Sequence, residues 1–292
     1  MSSITDLKRL ALAYAVQPRT ATAMARLEIM RLDHPTALQP VIYEPAVCLV
    51  LQGAKRAVIG DQGLGYGAGD YFIAAAEVAA LGRISAATPE EPYLALNLLL
   101  DPQVIAGVLL DLPKGSEPAV ASGFFTSTAD APLLDAWLRL VRVLDRPDEA
   151  AVLGPMIERE ILFRLLQGPS GVLLRQIAGG DNRLSSIRKA MAWLRAHYAE
   201  PVRVEQLAAL AGMSASVFHK HFKDVTALSP IQYQKQIRLH EARRQLAQAP
   251  LNAAGVAFSI GYESASQFSR EYKRLFGASP VQDAKQLQGL IG

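Results

Sequence analysis

The sequence has 292 residues, of which 50% are hydrophobic and 20% are charged, and its formal net charge is +3. This length predicts two domains that each bury their own core, and the hydrophobic content excludes a largely disordered chain. A single cysteine excludes a disulfide framework and any zinc site built from several cysteines.

Neither the N-terminus nor the most apolar stretch of the chain indicates a secreted or membrane protein. The first ten residues, MSSITDLKRL, lack the apolar core of a signal peptide. The most apolar span, 93–112, is interrupted by Asp101 and Pro102, which favours a strand followed by a helix over a membrane span. We therefore expect a cytoplasmic protein without a membrane partner.

Residues 1–178 predict a domain in which short strands precede helices. Thr5 is expected to cap a first helix, and apolar strands divided by Pro, Gly and Asp follow over about 25–100. The candidate strands are 26–31, 41–53, 55–60, 71–75, 81–86 and 93–100. Strands of this length and spacing are typical of a small barrel or sandwich. The glycines of 63–69 match no phosphate-binding motif and are assigned to turns.

Helices are expected from about 101 to 178. Asp101 and Asp130 are candidate N-caps, Asp148 precedes a third helix, and 111–128 is interpreted as a loop. The helices that follow Asp130 and Asp148 have more apolar surface than one face of a small barrel needs. Two interpretations stay open, namely core within the domain and a pair of dimerisation helices.

The charge of the chain changes near Arg175. From that residue onward there are 16 Lys and Arg against 8 Asp and Glu, whereas the preceding part is net acidic. A basic C-terminal half indicates nucleic-acid binding by one domain only. The glycine pair before Asp181 predicts a linker at 179–183, which places the second domain at 184–292.

The second domain contains a helix-turn-helix pattern at about 204–225. Gly212 suits the positive φ of a tight turn, Ser214 is expected to cap the second helix, and Phe218 and Phe222 lie on its inner side. The polar and basic residues His219, Lys220 and Lys223 follow Ser216 by three, four and seven positions, which places all of them on another face of the helix. This arrangement predicts a recognition helix for the DNA major groove.

The same pattern returns 50 residues later, at about 252–275. The matching pairs are Ser214 and Ser264, Phe218 and Phe268, Lys220 and Arg270, and Lys223 and Lys273. A repeat of this period indicates two copies of one supersecondary unit. Pro230 is expected to open a helix between them, whose ~19 residues would span about 28 Å. Such a spacer suits two recognition helices about one DNA turn, roughly 34 Å, apart.

The exposed faces of the two second helices supply the candidate DNA contacts. Arg270 is the strongest of them, because a guanidinium matches guanine O6 and N7. The predicted base contacts are Ser216, His219, Lys220, Ser266, Ser269 and Arg270. The predicted phosphate contacts, which position the protein without reading sequence, are Lys223, Lys235, Arg238 and Lys273.

Residues 184–288 resemble the DNA-binding domain of the AraC/XylS family of bacterial transcription regulators. The resemblance is carried by Ala211-Gly212-Met213-Ser214, Phe222-Lys223, Ser229-Pro230-Ile231, Glu241-Ala242-Arg243, Ile260-Gly261-Tyr262-Glu263-Ser264, Gln267-Phe268-Ser269-Arg270 and Ser279-Pro280. The segment 43–56 is similar to the start of a regulatory domain in one branch of that family. The resemblance implies an α+β protein with an N-terminal cupin-like β-barrel and helices, and an all-α domain with two helix-turn-helix units joined by a long helix.

The N-terminal domain is expected to bind a ligand without a metal or cofactor. His34 is the only histidine before His197, so the barrel lacks the imidazole ligands of metal-dependent cupin enzymes. Cys48 lies in the apolar stretch AVCLVLQ and has two interpretations. It is either a buried, inert thiol or a sensor thiol that reacts with an electrophile.

These patterns predict a transcription regulator controlled by a small molecule or electrophile, with no catalytic residue. Its expected partners are double-stranded promoter or operator DNA, an effector, RNA polymerase and a second copy of the chain. The alternatives are an enzyme or repair protein fused to a DNA-binding module, and a ligand-independent DNA binder.

Overall fold

The computed structural model describes residues 2–60, 62–112, 123–178, 182–248 and 252–291. The chain divides into two compact units, Met1–Leu184 and Ser185–Gly292. All described strands lie in the first unit and the second is helical, so the α+β class is confirmed. Part of the linker predicted at 179–183 lies outside the described residues, and the remainder belongs to a helix that begins at Asn182.

The N-terminal unit is built on two antiparallel sheets. Its described strands are β1 (Arg19–Ala21), β2 (Leu27–Leu32), β3 (Gln39–Tyr43), β4 (Ala46–Gln52), β5 (Ala54–Ile59), β6 (Gln62–Gly67), β7 (Asp70–Ala74), β8 (Val78–Ala86), β9 (Tyr93–Leu99) and β10 (Phe124–Thr128). One sheet has the order β1-β2-β9-β4-β7-β10 and the other β3-β8-β5-β6. The strands therefore form two open sheets, and the barrel predicted over 25–100 is not closed.

Three strand predictions need correction. The stretch 41–53 contains two strands, β3 and β4, because Pro45 interrupts the extended run. The glycine-rich stretch 63–69 is largely strand β6, which pairs along its length with β5. Backbone hydrogen bonds to β5 hold this strand, although its side chains do not alternate between apolar and polar. The loop predicted at 111–128 ends in strand β10, which pairs with β7.

The described part of the N-terminal unit has one α-helix before its strands and four after β9. They are α1 (Ser2–Tyr14), α2 (Pro102–Leu110), α3 (Ala131–Arg142), α4 (Pro147–Gln167) and α5 (Gly171–Ala178). The carboxylates of Asp101 and Asp130 accept amide hydrogen bonds at the N-termini of α2 and α3, as predicted. Thr5 lies inside α1, so its predicted capping role is wrong. Asp148 lies in the first turn of α4, where a negative charge complements the helix dipole.

A buried ion pair joins the large sheet to α4. The guanidinium of Arg26, just before β2, contacts both carboxylate oxygens of Glu158 at 2.9 and 3.1 Å. The side chain of Glu158 is 3% exposed. Arg26 also contacts Asp101, 3.3 Å away, at the start of α2. One arginine therefore links three elements of the unit.

The C-terminal unit consists of helices arranged around one long central helix. Its helices are α6 (Asn182–Ala196), α7 (Val204–Leu210), α8 (Ala215–Thr226), α9 (Pro230–Gln248), α10 (Ala253–Ser259), α11 (Ala265–Phe276) and α12 (Pro280–Ile291). Pro230 opens α9, as predicted, and α9 packs against α8, α10 and α12. Among the described residues, no helix combines the length and apolar character needed to cross a bilayer.

Candidate nucleic-acid interface

The two helix pairs α7–α8 and α10–α11 have the same turn geometry. Gly212 and Gly261 follow the first helix of each pair with φ values of +64° and +85°. A φ in this region favours glycine, because a Cβ atom would crowd the adjacent carbonyl. The glycine turn predicted from the sequence is therefore present in both copies.

The serines that precede the two recognition helices differ in their hydrogen bonds. Ser264 accepts a hydrogen bond from the amide of Gln267 at 3.3 Å, which is a side-chain cap of α11. Ser214 has the extended backbone of an N-cap residue, but its hydroxyl lies 3.4 Å from the hydroxyl of Ser216 and caps no amide of α8. The predicted side-chain cap at Ser214 is therefore absent.

Aromatic residues hold each recognition helix against the rest of its unit. The rings of Phe218 and Phe222 on α8 are fully buried with centroids 5.4 Å apart, and Phe268 and Tyr272 on α11 repeat this distance. Phe222 also packs edge-on against Tyr233 of α9 at 5.4 Å. The inner side of each helix is thus fixed by packing, which determines the face that it turns outward.

The outward faces of α8 and α11 present the predicted DNA contacts. Ser216, His219, Lys220 and Lys223 are exposed on α8, and Ser266, Arg270 and Lys273 are exposed on α11 while Ser269 is half-buried. Within the described ranges, no carboxylate pairs with the four cations of this set. They are therefore available for a polyanion such as the DNA backbone.

One further cation belongs to this face. Arg274 is exposed on α11 and follows Arg270 by four residues, a spacing that places both on one side of the helix. Arg274 was not among the predicted contacts, and its counterpart in the first copy is Asp224. The outward face of α11 is thus more basic than that of α8.

Two predicted phosphate contacts have other partners in the structure. The Nζ atom of Lys235 lies 2.9 Å from a carboxylate oxygen of Glu271, an ion pair that joins α9 to α11. The guanidinium of Arg238 donates hydrogen bonds to the carbonyl oxygens of Tyr198, Glu200 and Gly261. These bonds engage both side chains inside the unit, so a phosphate contact of either one would compete with them.

Arg238 instead holds the two helix-turn-helix units to α9. Its carbonyl partners Tyr198 and Glu200 precede α7, whereas Gly261 is the turn between α10 and α11. The side-chain amide of Gln234, one turn earlier on α9, donates to the same two carbonyls before α7 at 3.0 and 2.7 Å. Hydrogen bonds from one helix therefore connect the two copies of the repeat.

Cys48 lies in β4, between the two sheets of the N-terminal unit. It is 8% exposed, and its Sγ atom is 3.9 Å from the hydroxyl of Tyr93. Burial raises the pKa of the Cys48 thiol, and the opposing effects of Lys55 and Tyr93 are smaller. A protonated, buried thiol is a poor nucleophile, so these contacts favour the inert interpretation over the sensor thiol.

In the part of the chain that the structure describes, acidic and histidine side chains do not gather into a metal site. Among the described residues, no group of three or more His, Cys, Asp and Glu side chains could hold a metal ion. His221 lies 3.9 Å from Asp224 on the same helix, and His219 is exposed on the neighbouring face. The outward faces of α8 and α11 therefore remain the candidate functional surface of the C-terminal unit.

Comparison with protein families gives two matches. Residues 23–173 match the model of the AraC-type transcriptional regulator N-terminus. Residues 207–286 match a model described as a helix-turn-helix domain, which covers the α8 and α11 faces. The first match alone spans more than half of the chain.

Curated relatives include two proteins named HTH-type transcriptional activator RhaS. The one from Salmonella schwarzengrund is 29% identical over 183 residues, which are 61% of this chain and 63% of the relative. The one from Escherichia fergusonii is 30% identical over 168 residues, which are 56% of this chain and 59% of the relative. Each match thus spans less than two thirds of the relative's length.

A likeness to solved structures extends over nearly the whole chain. The crystal structure of ToxT from Vibrio cholerae with an unsaturated fatty acid bound has a TM-score of 0.58 and 11% sequence identity. That likeness covers 90% of this chain and 95% of ToxT. At this identity the likeness shows a shared fold alone.

Proposed function

Since the chain belongs to the AraC-type transcriptional regulators, we propose that it binds specific promoter DNA in the cytoplasm and controls transcription in response to a small molecule. The DNA-binding part is the C-terminal unit, and the sensing part is the N-terminal unit. The relatives named above are transcriptional activators, which supports activation, with RNA polymerase as a partner on the promoter.

The observation that carries this proposal is the pair of matched cationic faces on α8 and α11. Lys220 and Lys223 in the first copy correspond to Arg270 and Lys273 in the second, and all four are exposed. The α9 spacer has 19 residues, so it is about 28 Å long at roughly 1.5 Å per residue. That length suits two recognition helices in successive major grooves, about 34 Å apart.

We assign different tasks to the side chains of these faces. Arg270 has five fixed N–H donors and reads a guanine edge, whereas the hydroxyls and His219 read bases less specifically. The serines of this group are Ser216, Ser266 and Ser269. Lys223 and Lys273 contact phosphates, which fix the register of the protein on the duplex.

We expect Arg270→Ala to weaken binding to a selected cognate duplex by about 1–3 kcal/mol and to relax one base position. Lys273→Ala is the matched comparison, three residues along the same helix. It should weaken cognate and random duplexes alike and lower the salt slope by about one. Titrations of both variants over a range of salt concentrations measure these effects, and an equal loss on both duplexes for Arg270→Ala would contradict base reading.

The outer side of α4 supports a homodimer. Val152, Met156 and Phe163 follow spacings of four and seven and are 62%, 62% and 41% exposed. The opposite side of the same helix buries Ile157 and Ile161 in the unit. An apolar stripe on a 21-residue helix suits an isologous contact, in which two copies of α4 pack against each other.

We expect Met156→Glu to shift the full-length protein from dimer to monomer, because a buried unpaired carboxylate is costly in an apolar contact. Val16→Glu is the control, since Val16 is 79% exposed but lies outside this helix. Analytical ultracentrifugation at several concentrations reports the state of both variants. A Met156→Glu protein that sediments as the unsubstituted protein does would exclude α4 as the dimer contact.

A further inference from the structure

The side chain of Glu271 on α11 accepts hydrogen bonds from three different parts of the C-terminal unit. Its Oε1 atom accepts from the Nζ atom of Lys235 on α9 at 2.9 Å, and its Oε2 atom accepts from the hydroxyl of Tyr262 at 2.8 Å. The side-chain Nε2 atom of Gln267, one turn earlier on α11, donates to Oε1 at 3.2 Å. Because the Glu271 side chain is only 14% exposed, it connects the outward face of α11 to the interior of the unit.

These hydrogen bonds keep Glu271 ionised. Burial alone would raise the pKa of its carboxyl group, but the hydrogen bonds from the three donors outweigh burial and lower the pKa. An ionised carboxylate accepts hydrogen bonds and donates none. The atom of the Gln267 amide that faces Glu271 is therefore the nitrogen, and the carboxylate fixes the orientation of the whole amide group.

The backbone of Gln267 is held in place as well. Its amide N–H donates to the hydroxyl of Ser264, which caps α11. The sequence Ser264-Ala265-Ser266-Gln267 matches a capping box, in which the glutamine side chain would bend back to the amide of the serine. In the structure that side chain extends forward to Glu271 instead, and Gln267 is exposed on the helix surface.

Gln267 lies where a recognition helix reads bases. It is the third residue of α11 and precedes Arg270 by three, so both side chains share one face. In helix-turn-helix proteins, the N-terminal residues of the second helix contact base edges. A side-chain amide has two N–H donors and one carbonyl oxygen. Because Glu271 accepts one N–H, the carbonyl oxygen and the second N–H remain for a base, and this pair matches N6 and N7 of adenine.

We propose that Gln267 reads an adenine in the major groove through its side-chain amide. Glu271 is a positioning residue, since it fixes which end of that amide faces the base, and Lys235 holds Glu271 from α9. The inference rests on the proposed function, because it names a base that the C-terminal unit selects.

The first copy of the repeat lacks this arrangement. Val217 and His221 take the positions of Gln267 and Glu271 there. Val217 is 45% exposed, but its side chain forms no hydrogen bond with a base edge. An adenine preference of this origin is therefore expected in one half-element of the operator.

Base analogues test the contact in the unsubstituted, full-length protein. Duplexes selected from a random pool identify the adenine as the position whose preference disappears in Gln267→Ala. Replacing that adenine with 7-deazaadenine removes N7, and replacing it with purine removes the N6 amino group. We expect each analogue to weaken binding of the unsubstituted protein by about 2- to 10-fold and to leave binding of Gln267→Ala unchanged. On the natural duplex, Gln267→Ala itself should bind about 5- to 150-fold more weakly.

Glu271→Gln tests the positioning role. A glutamine at this position can donate as well as accept, so the Gln267 amide is free to turn and present two N–H donors, which match guanine O6 and N7. We expect the ratio of binding to duplexes with adenine and with guanine at this position to fall by about 5-fold or more. A merely structural role would weaken binding to both duplexes and leave their ratio unchanged.

Two lysine variants complete the comparison. Lys235→Met removes the contact from α9 and should lower the adenine-to-guanine ratio in the same direction as Glu271→Gln. Lys285→Met is the matched control, since Lys285 is the exposed counterpart of Lys235 fifty residues later. It should leave the ratio unchanged, whatever its effect on the overall affinity for DNA.

Three results would overturn the inference: no selected position that depends on Gln267, equal effects of the analogues on the unsubstituted protein and on Gln267→Ala, or an unchanged ratio in Glu271→Gln. In each case, a protein that selects a duplex remains the DNA-binding regulator proposed above. A protein that selects no duplex at all contradicts the proposed function, and the reading of adenine with it.

Discussion

Gly261→Ala is expected to destabilise the C-terminal unit by about 2–5 kcal/mol and to abolish specific DNA binding. The backbone of Gly261 has a φ of +85°, where an alanine costs about 1–2 kcal/mol. A Cβ atom at this position would also lie 2.0 Å from the carbonyl oxygen and 2.7 Å from the carbonyl carbon of Ala199. Overpacking against a rigid backbone adds about 1–3 kcal/mol.

Gly212→Ala is the matched control for this effect. Gly212 occupies the same turn in the first copy with a φ of +64°, but a Cβ atom there would meet nothing within 4 Å. It should therefore cost only the backbone strain, about 1–2 kcal/mol. Denaturant unfolding of both variants provides the comparison, and equal losses of unfolding free energy would show that the contact with Ala199 is unimportant.

Arg26→Ala is expected to destabilise the N-terminal unit by about 3–5 kcal/mol, because it leaves the carboxylate of Glu158 buried without a counter-charge. Glu158 is 3% exposed as a side chain and receives two of the three ionic contacts of Arg26. Thermal unfolding followed by circular dichroism reports the loss. The double variant Arg26→Met with Glu158→Leu should recover most of it, since removing both charges also removes the uncompensated desolvation.

Arg19 provides a control of the same residue type. It contacts Glu28 and Glu44 at 2.7 and 3.5 Å, but its side chain is 54% exposed. A pair in water contributes at most about 1 kcal/mol, so Arg19→Ala should change the melting temperature only slightly. If both alanine variants were equally mild, burial of Glu158 would not set the strength of the Arg26 contact.

The sequence could predict which side chains of α8 and α11 are exposed, because that signal is local. The faces of α8 and α11 follow from the spacing of Lys220 and Arg270 relative to buried rings on the same helix, and a helix fixes that relation within a turn or two. The glycine turns are local as well, since positive φ is a property of one residue. The long spacer followed from Pro230, which pre-sets the first turn of a helix.

The sequence did not predict contacts whose partners are distant along the chain or are backbone groups. Arg238 was predicted to contact phosphate, but its carbonyl partners lie 40, 38 and 23 residues away, and a carbonyl oxygen leaves no trace in the sequence. Strand β6 was assigned to turns because its glycines carry no alternating side chains, although pairing with β5 forms it. Ser214 and Ser264 each begin a Ser-Ala-Ser sequence, but only Ser264 caps its helix with its side chain, and their backbone φ values differ, −69° against −139°.

The hydrogen bonds of Arg238 have a consequence for the DNA sites that this protein accepts. Because α9 is bonded both to the segment before α7 and to the turn at Gly261, the distance between the two recognition helices is set before any duplex is bound. The protein then accepts only operators whose two half-elements match this fixed distance. An operator with one base pair inserted between its two half-elements would present the second element rotated by roughly 35° about the helix axis. The duplex would have to untwist to compensate. The energy of this untwisting depends on the flexibility of the intervening base-pair steps.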